Sequence, residues 1–124
     1  MLTTIAVVLA ALIGAGCVLM GAYILWTPRA AAGFGIPDTP TEDRAFRAWL
    51  SVKAVRDLVS GVLIIIVLVA ATPQVLGAVL LAATAIPVGD ALIVLRSNGP
   101  RSAVYGVHGA TAAVMLATSV LLLR

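Results

Sequence analysis

Residues 2–26 contain no charged side chain, and this uncharged stretch constrains the chain more than any other feature. A helix needs roughly 20 mainly apolar residues to cross the hydrocarbon core of a bilayer, and this segment is long enough. It has no basic region before its apolar run, so it is not expected to be a cleaved signal peptide. Tyr23 and Trp26 stand at its end, where aromatic side chains favour the membrane interface. The segment predicts a first transmembrane helix.

The composition of the whole chain points the same way. Of its 124 residues, 62% are hydrophobic and 10% are charged. Soluble domains carry about 25% charged residues, and a soluble core of this size could not bury so many apolar side chains. The chain is therefore expected to be one integral membrane domain. Its basic pI, near 9.8, is interpreted as a topology signal, with no nucleic-acid partner expected.

Three further apolar segments follow, and short links between them favour antiparallel neighbours. The expected fold is all-α, a polytopic membrane protein built as an antiparallel four-transmembrane-helix bundle. The second helix is expected to begin behind Thr39 in a capping box with Pro40 and Glu42, after a non-helical connector over 27–40. Thr72 is expected to cap the start of the third helix, and Asn98 and Gly99 are expected to end it. The predicted spans are 2–26, 52–71, 74–97 and 102–123, with an interfacial extension of the second helix over 40–51.

The distribution of cations predicts the orientation. Arg29, Arg44 and Arg47 lie in or near the first connector, and Arg96 and Arg101 flank the third one. Cytoplasmic loops of membrane proteins are enriched in Lys and Arg. The chain is therefore expected to lie in the cytoplasmic (inner) membrane of the cell, with both termini outside.

Three ionisable residues are expected to share one depth in the bundle. Asp57, Asp90 and His108 each lie about 8–10 Å from the cytoplasmic end of their helix, at 1.5 Å per residue. Charged groups at this depth are expensive, face the bundle interior and mark functional sites. Trp49, Lys53 and Asp57 follow helical spacing along one stripe, and Tyr105 and His108 share a stripe on the fourth helix in the same way.

These residues form the predicted site, a polar pocket in the cytoplasmic half. Asp90, His108 and Asp57 are the candidates for proton exchange, because a histidine beside carboxylates titrates near neutral pH. The candidates for contacting a ligand are Lys53, Arg56, Trp49, Tyr105 and Tyr23.

Structural interpretations stand beside these. Asp57, Asp90 and His108 could be paired polar groups that lock helices together, while Lys53 and Arg56 could extend to lipid phosphates. The lone Cys17 is read as a small buried hydrophobe, and no compact metal-ligand motif exists, so neither a metal nor another cofactor is expected.

Several short motifs carry a resemblance to a known family. They are "FGIP" at 34–37, "KAVRD" at 53–57, "PVGDALIVL" at 87–95 and "HG" at 108–109. In this order and spacing the chain resembles small bacterial and fungal membrane proteins grouped as a domain of unknown function, distantly similar to DoxX-like proteins. The resemblance implies a four-helix membrane bundle and no established activity.

Three functions compete. The favoured one is binding of an amphiphilic small molecule in the polar pocket, with acid–base transformation of the isomerase, cyclase or epoxide-opening type as its enzymatic form. The second is a dimeric, proton-coupled transporter. The third is a non-catalytic scaffold subunit, since small-residue pairs such as Ala10/Gly14, Cys17/Gly21 and Gly106/Ala110 allow close packing within or between chains. The expected partners are membrane lipid and a lipophilic small molecule, with a homo-oligomer left open.

Overall fold

The computed structural model describes residues 1–124 as a helical chain without strands. Three helical stretches are long and apolar enough to cross a membrane, namely Leu2–Trp26, Pro73–Arg96 and Ser102–Leu123. The all-α, multi-pass membrane class predicted from sequence is confirmed at this level. The elements are α1 (Leu2–Trp26), a 3₁₀ helix (Pro28–Phe34), α2 (Arg44–Ala70), α3 (Pro73–Ala83), α4 (Ala85–Arg96), a π-helical segment (Ser102–Gly109) and α5 (Ala110–Leu123).

The remaining long helix, α2, does not have the composition of a simple span. Lys53, Arg56 and Asp57 lie in its middle, and its longest uncharged stretch is residues 58–70. At 1.5 Å per residue that uncharged part covers about 20 Å, less than the roughly 30 Å of a bilayer core. The predicted span over 52–71 stays a prediction.

The start of α2 corrects the expected capping box. Asp43 is the N-cap, and its carboxylate accepts a hydrogen bond from the Phe46 N–H at 2.7 Å. Residues 40–43 are not helical, so the helical extension begins at Arg44. The Thr39 hydroxyl instead donates to the Ile36 carbonyl at 2.6 Å, which commits it to the preceding turn. Asp43 can satisfy the free N–H groups of the first turn and adds a negative charge at the positive end of the helix dipole.

The connector after α1 also differs from expectation, because residues 28–34 form a 3₁₀ helix. Pro28 occupies its first turn, where a missing N–H costs nothing, and alanines follow at 30–32. The helix ends at Gly35, whose φ of 110° lies in a region that side chains rarely adopt. Phe34, at the end of this short helix, contacts His108 of the bundle.

The third apolar stretch is broken into α3 and α4 at Thr84. Pro87 has no N–H for the Ala83 carbonyl, and the Thr84 hydroxyl donates to the Leu80 carbonyl at 2.8 Å. The expected cap Thr72 accepts from the Val75 N–H at 3.4 Å, and α4 stops before Asn98, whose φ is 59°. In the structure this stretch thus begins behind Thr72 and ends before Asn98.

The helices pack mainly as three pairs, and contact between α1 and α5 joins the first pair to the second. α1 packs along α2, α3 packs along α5, α4 lies beside the π-helical segment, and α1 also contacts α5. By contrast, α2 makes only sparse contact with α4. The main core is apolar and consists of Ala6, Ala10, Ile64, Leu76, Leu80, Met115 and Leu122. The fold is therefore closed around this core and open between α2 and α4.

Candidate functional site

A cavity of about 710 Å³ occupies the gap between α2 and α4, and we call it the polar groove. Because α2 and α4 are not packed closely against each other, the charged face of α2 is left facing this space. Residues spaced three and four apart on a helix share a face, which is why one stripe of α2 supplies most of the lining. The lining residues are Trp49, Val52, Lys53, Val55, Arg56, Asp57, Val59, Ser60, Ile86 and Asp90.

The α2 wall of the groove contains an ion pair. Lys53 Nζ lies 2.5 Å from an Asp57 carboxylate oxygen, one helical turn away. The same ammonium lies 5.3 Å from the centre of the Phe34 ring, within the range of a cation–π contact. Arg56 lines the groove with no carboxylate within 4.0 Å. The wall thus offers one neutralised pair and one free cation.

Opposite this wall, Asp90 of α4 faces the groove and is backed by His108. The His108 Nδ1 atom lies 4.0 Å from an Asp90 carboxylate oxygen. On the other side of the ring, Nε2 lies 2.8 Å from the Phe34 carbonyl oxygen. The Phe34 and His108 rings also contact each other, with centroids 4.4 Å apart and planes tilted by 51°. His108 is therefore held between the connector and Asp90.

Two irregular backbones produce this arrangement. The first is the helix break at Thr84, six residues before Asp90. His108 lies in the π-helical segment, and π turns within α-helices occur frequently at functional sites. At Gly35, an added Cβ would come within 2.6 Å of the Ala103 Cβ and 3.0 Å of Val94 Cγ1. Glycine is thus required there both for its backbone conformation and for close packing.

The structure brings most of the sequence-predicted site residues together. Trp49, Lys53, Arg56, Asp57 and Asp90 all line the groove. His108 is 7% exposed and lies behind Asp90, outside the lining.

The two tyrosines are placed elsewhere. Tyr105 and Tyr23 are 63% and 57% exposed, and neither lines the groove. Tyr105 was expected to share a helical stripe with His108. Because the π-helical segment winds fewer degrees per residue, side chains three apart there no longer share a face.

Sequence reasoning missed Phe34 as a site residue. Its carbonyl and its ring both contact His108, and its ring also approaches Lys53. The one available signal was the "FGIP" motif, an aromatic residue followed by a glycine in a connector. No group of three or more His, Cys, Asp and Glu side chains in the chain is arranged to hold a metal ion.

Long apolar helices and a charged cluster between them define a multi-pass membrane protein. More specifically, the chain belongs to the family described as a domain of unknown function (DUF4267), whose sequence profile matches residues 14–122. No curated protein and no solved structure matches the chain. Membership of an uncharacterised family, expected from the motifs, is thereby confirmed, while the resemblance to DoxX-like proteins stays a prediction.

Proposed function

We propose that the protein is a four-span membrane bundle whose polar groove binds the head group of an amphiphilic small molecule and exchanges protons with it. The observation that carries this proposal is the groove itself, about 710 Å³ in volume, with charged residues from two helices facing each other across it. Ligand sites typically have volumes of about 300–1,000 Å³ and combine apolar walls with a few polar groups.

The first part of the proposal is that α2 also crosses the membrane. Its 27 residues extend about 40 Å at 1.5 Å per residue, and it packs along the apolar α1. Two of its three inner charges neutralise each other, since Lys53 is paired with Asp57. A paired charge facing a groove is far less costly in a membrane than an isolated one.

The second part concerns orientation. Both basic loops lie at one end of the bundle, because Gly35 packs against Val94 and a Cβ on Gly99 would overlap the Gly35 carbonyl. Loops rich in Lys and Arg remain in the cytoplasm. We therefore propose that the groove lies in the cytoplasmic half of the cytoplasmic membrane, with both termini outside.

The third part is the chemistry of the ligand. Val52, Val55, Val59 and Ile86 offer an apolar wall, while Arg56 is free to hold an acceptor. Arg binds carboxylates through paired, charge-assisted hydrogen bonds. We therefore assign the head group as a carboxylate or carbonyl oxygen and the remainder as an apolar chain that contacts lipid. Asp90 lies across the groove as the acid or base.

The test compares wild-type protein with Asp90→Asn, each purified in nanodiscs. Native mass spectrometry and organic extraction then detect a co-purifying molecule. Asp38→Asn is the matched control, because Asp38 is exposed in the connector, and Asn tolerates its φ of 55°. We expect a defined molecule on wild type and on Asp38→Asn and its loss from Asp90→Asn.

The opposite result is also informative. If wild type carries no molecule and Asp90→Asn unfolds at lower temperature, Asp90 is a structural group. The binding proposal would then give way to a scaffold role.

A further inference from the structure

His108 is the most completely enclosed ionisable side chain of the site, and it does not face the groove. One of its ring nitrogens faces the Phe34 carbonyl, and the other faces Asp90. Asp90, in contrast, lines the groove directly. The three groups form a series from the connector, through the ring, to the space where a ligand would lie.

The Phe34 carbonyl determines which nitrogen carries hydrogen. A backbone carbonyl oxygen only accepts hydrogen bonds, so at 2.8 Å the Nε2 atom must be the donor. In the neutral ring, Nδ1 is then without hydrogen and faces the Asp90 carboxyl group. Their separation of 4.0 Å exceeds a hydrogen bond, and an approach of about 1 Å would form one.

Charge balance then limits how many protons Asp90 and His108 hold between them. The charged groups that act electrostatically on Asp90 are Lys53 and Asp57 of α2, which form a neutral pair, and His108 itself. Arg56 lines the same groove but is not among the charges that act on Asp90. With one proton on Asp90 and Nδ1 together, the two residues are neutral as a unit. A second proton would leave a net positive charge and no proton a net negative one, and both are costly within a membrane.

We propose that Asp90 and His108 act as a one-proton pair, with Phe34 fixing the His108 tautomer and Asp90 exchanging the proton with the groove. His108 is then a positioning residue that acts through Asp90. In an isomerisation, the Asp90 O–H bond would break as its proton bonds to one ligand atom, and the carboxylate would accept a proton from another ligand atom. The role of the pair in catalysis rests on the proposed function, whereas its proton content can be measured without a ligand.

The chain contains a single histidine, which makes the measurement specific. Protein with ¹⁵N-labelled histidine and ¹³C-labelled aspartate is placed in lipid bilayers and studied by solid-state NMR between about pH 6 and 8, the range in which free histidine titrates. Comparison with Asp90→Asn assigns the Asp90 carboxyl signal. The ring nitrogens and the carboxyl carbon together give the number of protons on the pair.

We expect Nε2 to carry hydrogen throughout, and the pair to hold one proton, either as neutral ring and carboxylic acid or as imidazolium and carboxylate. A ring with hydrogen on Nδ1 and none on Nε2 would overturn the proposal. A neutral ring beside an ionised Asp90, or an imidazolium beside a protonated Asp90, would overturn it as well.

A second variant separates positioning from mere packing. In His108→Gln the side-chain amide can still donate to the Phe34 carbonyl, but no ring nitrogen remains to share a proton with Asp90. We expect this variant to melt close to wild type while the Asp90 carboxyl signal changes. An Asp90 signal unchanged from wild type would show that His108 is only structural.

Failure here is distinguishable from failure of the proposed function. If a molecule co-purifies in a way that depends on Asp90, but Asp90 and His108 titrate independently, the binding proposal stands and the one-proton pair is wrong. A one-proton pair in protein that binds no amphiphile would do the reverse.

Discussion

The two faces of α2 differ: the face towards α1 is closely packed, whereas the face towards α4 borders the polar groove. Towards α1, glycines bring the backbones into contact. A Cβ on Gly21 would lie 2.6 Å from the Ala54 carbonyl oxygen, and one on Gly61 would lie 2.5 Å from the Gly14 oxygen. Towards α4, the same helix presents valines and charged side chains to an open groove.

This contrast follows from how helices associate in lipid. Apolar side chains gain little by leaving lipid tails, so close backbone approach at small residues supplies the packing energy. A face with long charged side chains cannot pack in that way and instead surrounds a cavity. Gly106 and Ala110 show that small residues alone do not decide the outcome, since this pair remains exposed beside a hollow between α1 and α5.

The largest expected effect comes from filling the α1–α2 contact. In Gly21→Val, the new side chain would collide with backbone atoms of Ala54 and Leu58, which cannot move without separating the helices. We expect a loss of about 3 kcal/mol or more in the free energy of unfolding, measured by denaturant titration in detergent micelles. Gly16→Val is the control on the same helix, because nothing lies within 4 Å of a Cβ there. Equal losses for the two variants would refute the close α1–α2 contact.

The next effect concerns the connector that positions Phe34. Gly35→Ala combines a φ of 110° with contact against Ala103, and we expect it to cost about 1–3 kcal/mol in unfolding free energy. The histidine ring signals should also shift in NMR spectra, since Phe34 moves away from His108. Gly33→Ala, at a position with open space, serves for comparison. Unchanged ring signals in Gly35→Ala would contradict the anchoring of His108 by the connector.

The smallest effect on stability is expected on the groove side. Arg56→Gln removes an unpaired groove cation, so the unfolding free energy should change by no more than about 0.5 kcal/mol. Binding of oleate, used as a carboxylate amphiphile, should weaken about tenfold, equivalent to roughly 1.4 kcal/mol, in a native mass spectrometry titration. Arg44→Gln, which changes a cation of α2 outside the groove, should bind oleate like wild type. If both arginine variants bind it equally, the assignment of the head group to Arg56 is wrong.

Much of the fold could be predicted because its signals are local. Hydropathy and length identify α1 and the other two apolar stretches, and Thr72 and Asn98 act on neighbouring backbone groups. The grouping of Lys53, Asp57 and Asp90 also followed from counting residues along each helix from its end. Such counting works because an α-helix rises by a fixed distance per residue.

The N-cap of α2 and the position of Tyr105 could not be predicted, because in each case the local sequence allowed two structures. Thr39 and Asp43 both suit an N-cap, and a hydrogen bond from Thr39 to Ile36 decided between them. Tyr105 seemed to share a face with His108 only if the segment was α-helical. The π-helical winding, which residue types do not specify, placed Tyr105 outside.

The sequence by itself determined that this chain belongs in a membrane, where its apolar helices lie and how its charges are spaced along them. These properties depend on the transfer of side chains from water and on the regular rise of a helix. The tertiary structure decided that α2 closes on α1 and opens towards α4. It also decided that Phe34, far from His108 in sequence, sets the hydrogen on the ring. Both outcomes depend on contacts between distant segments, whose geometry no local pattern encodes.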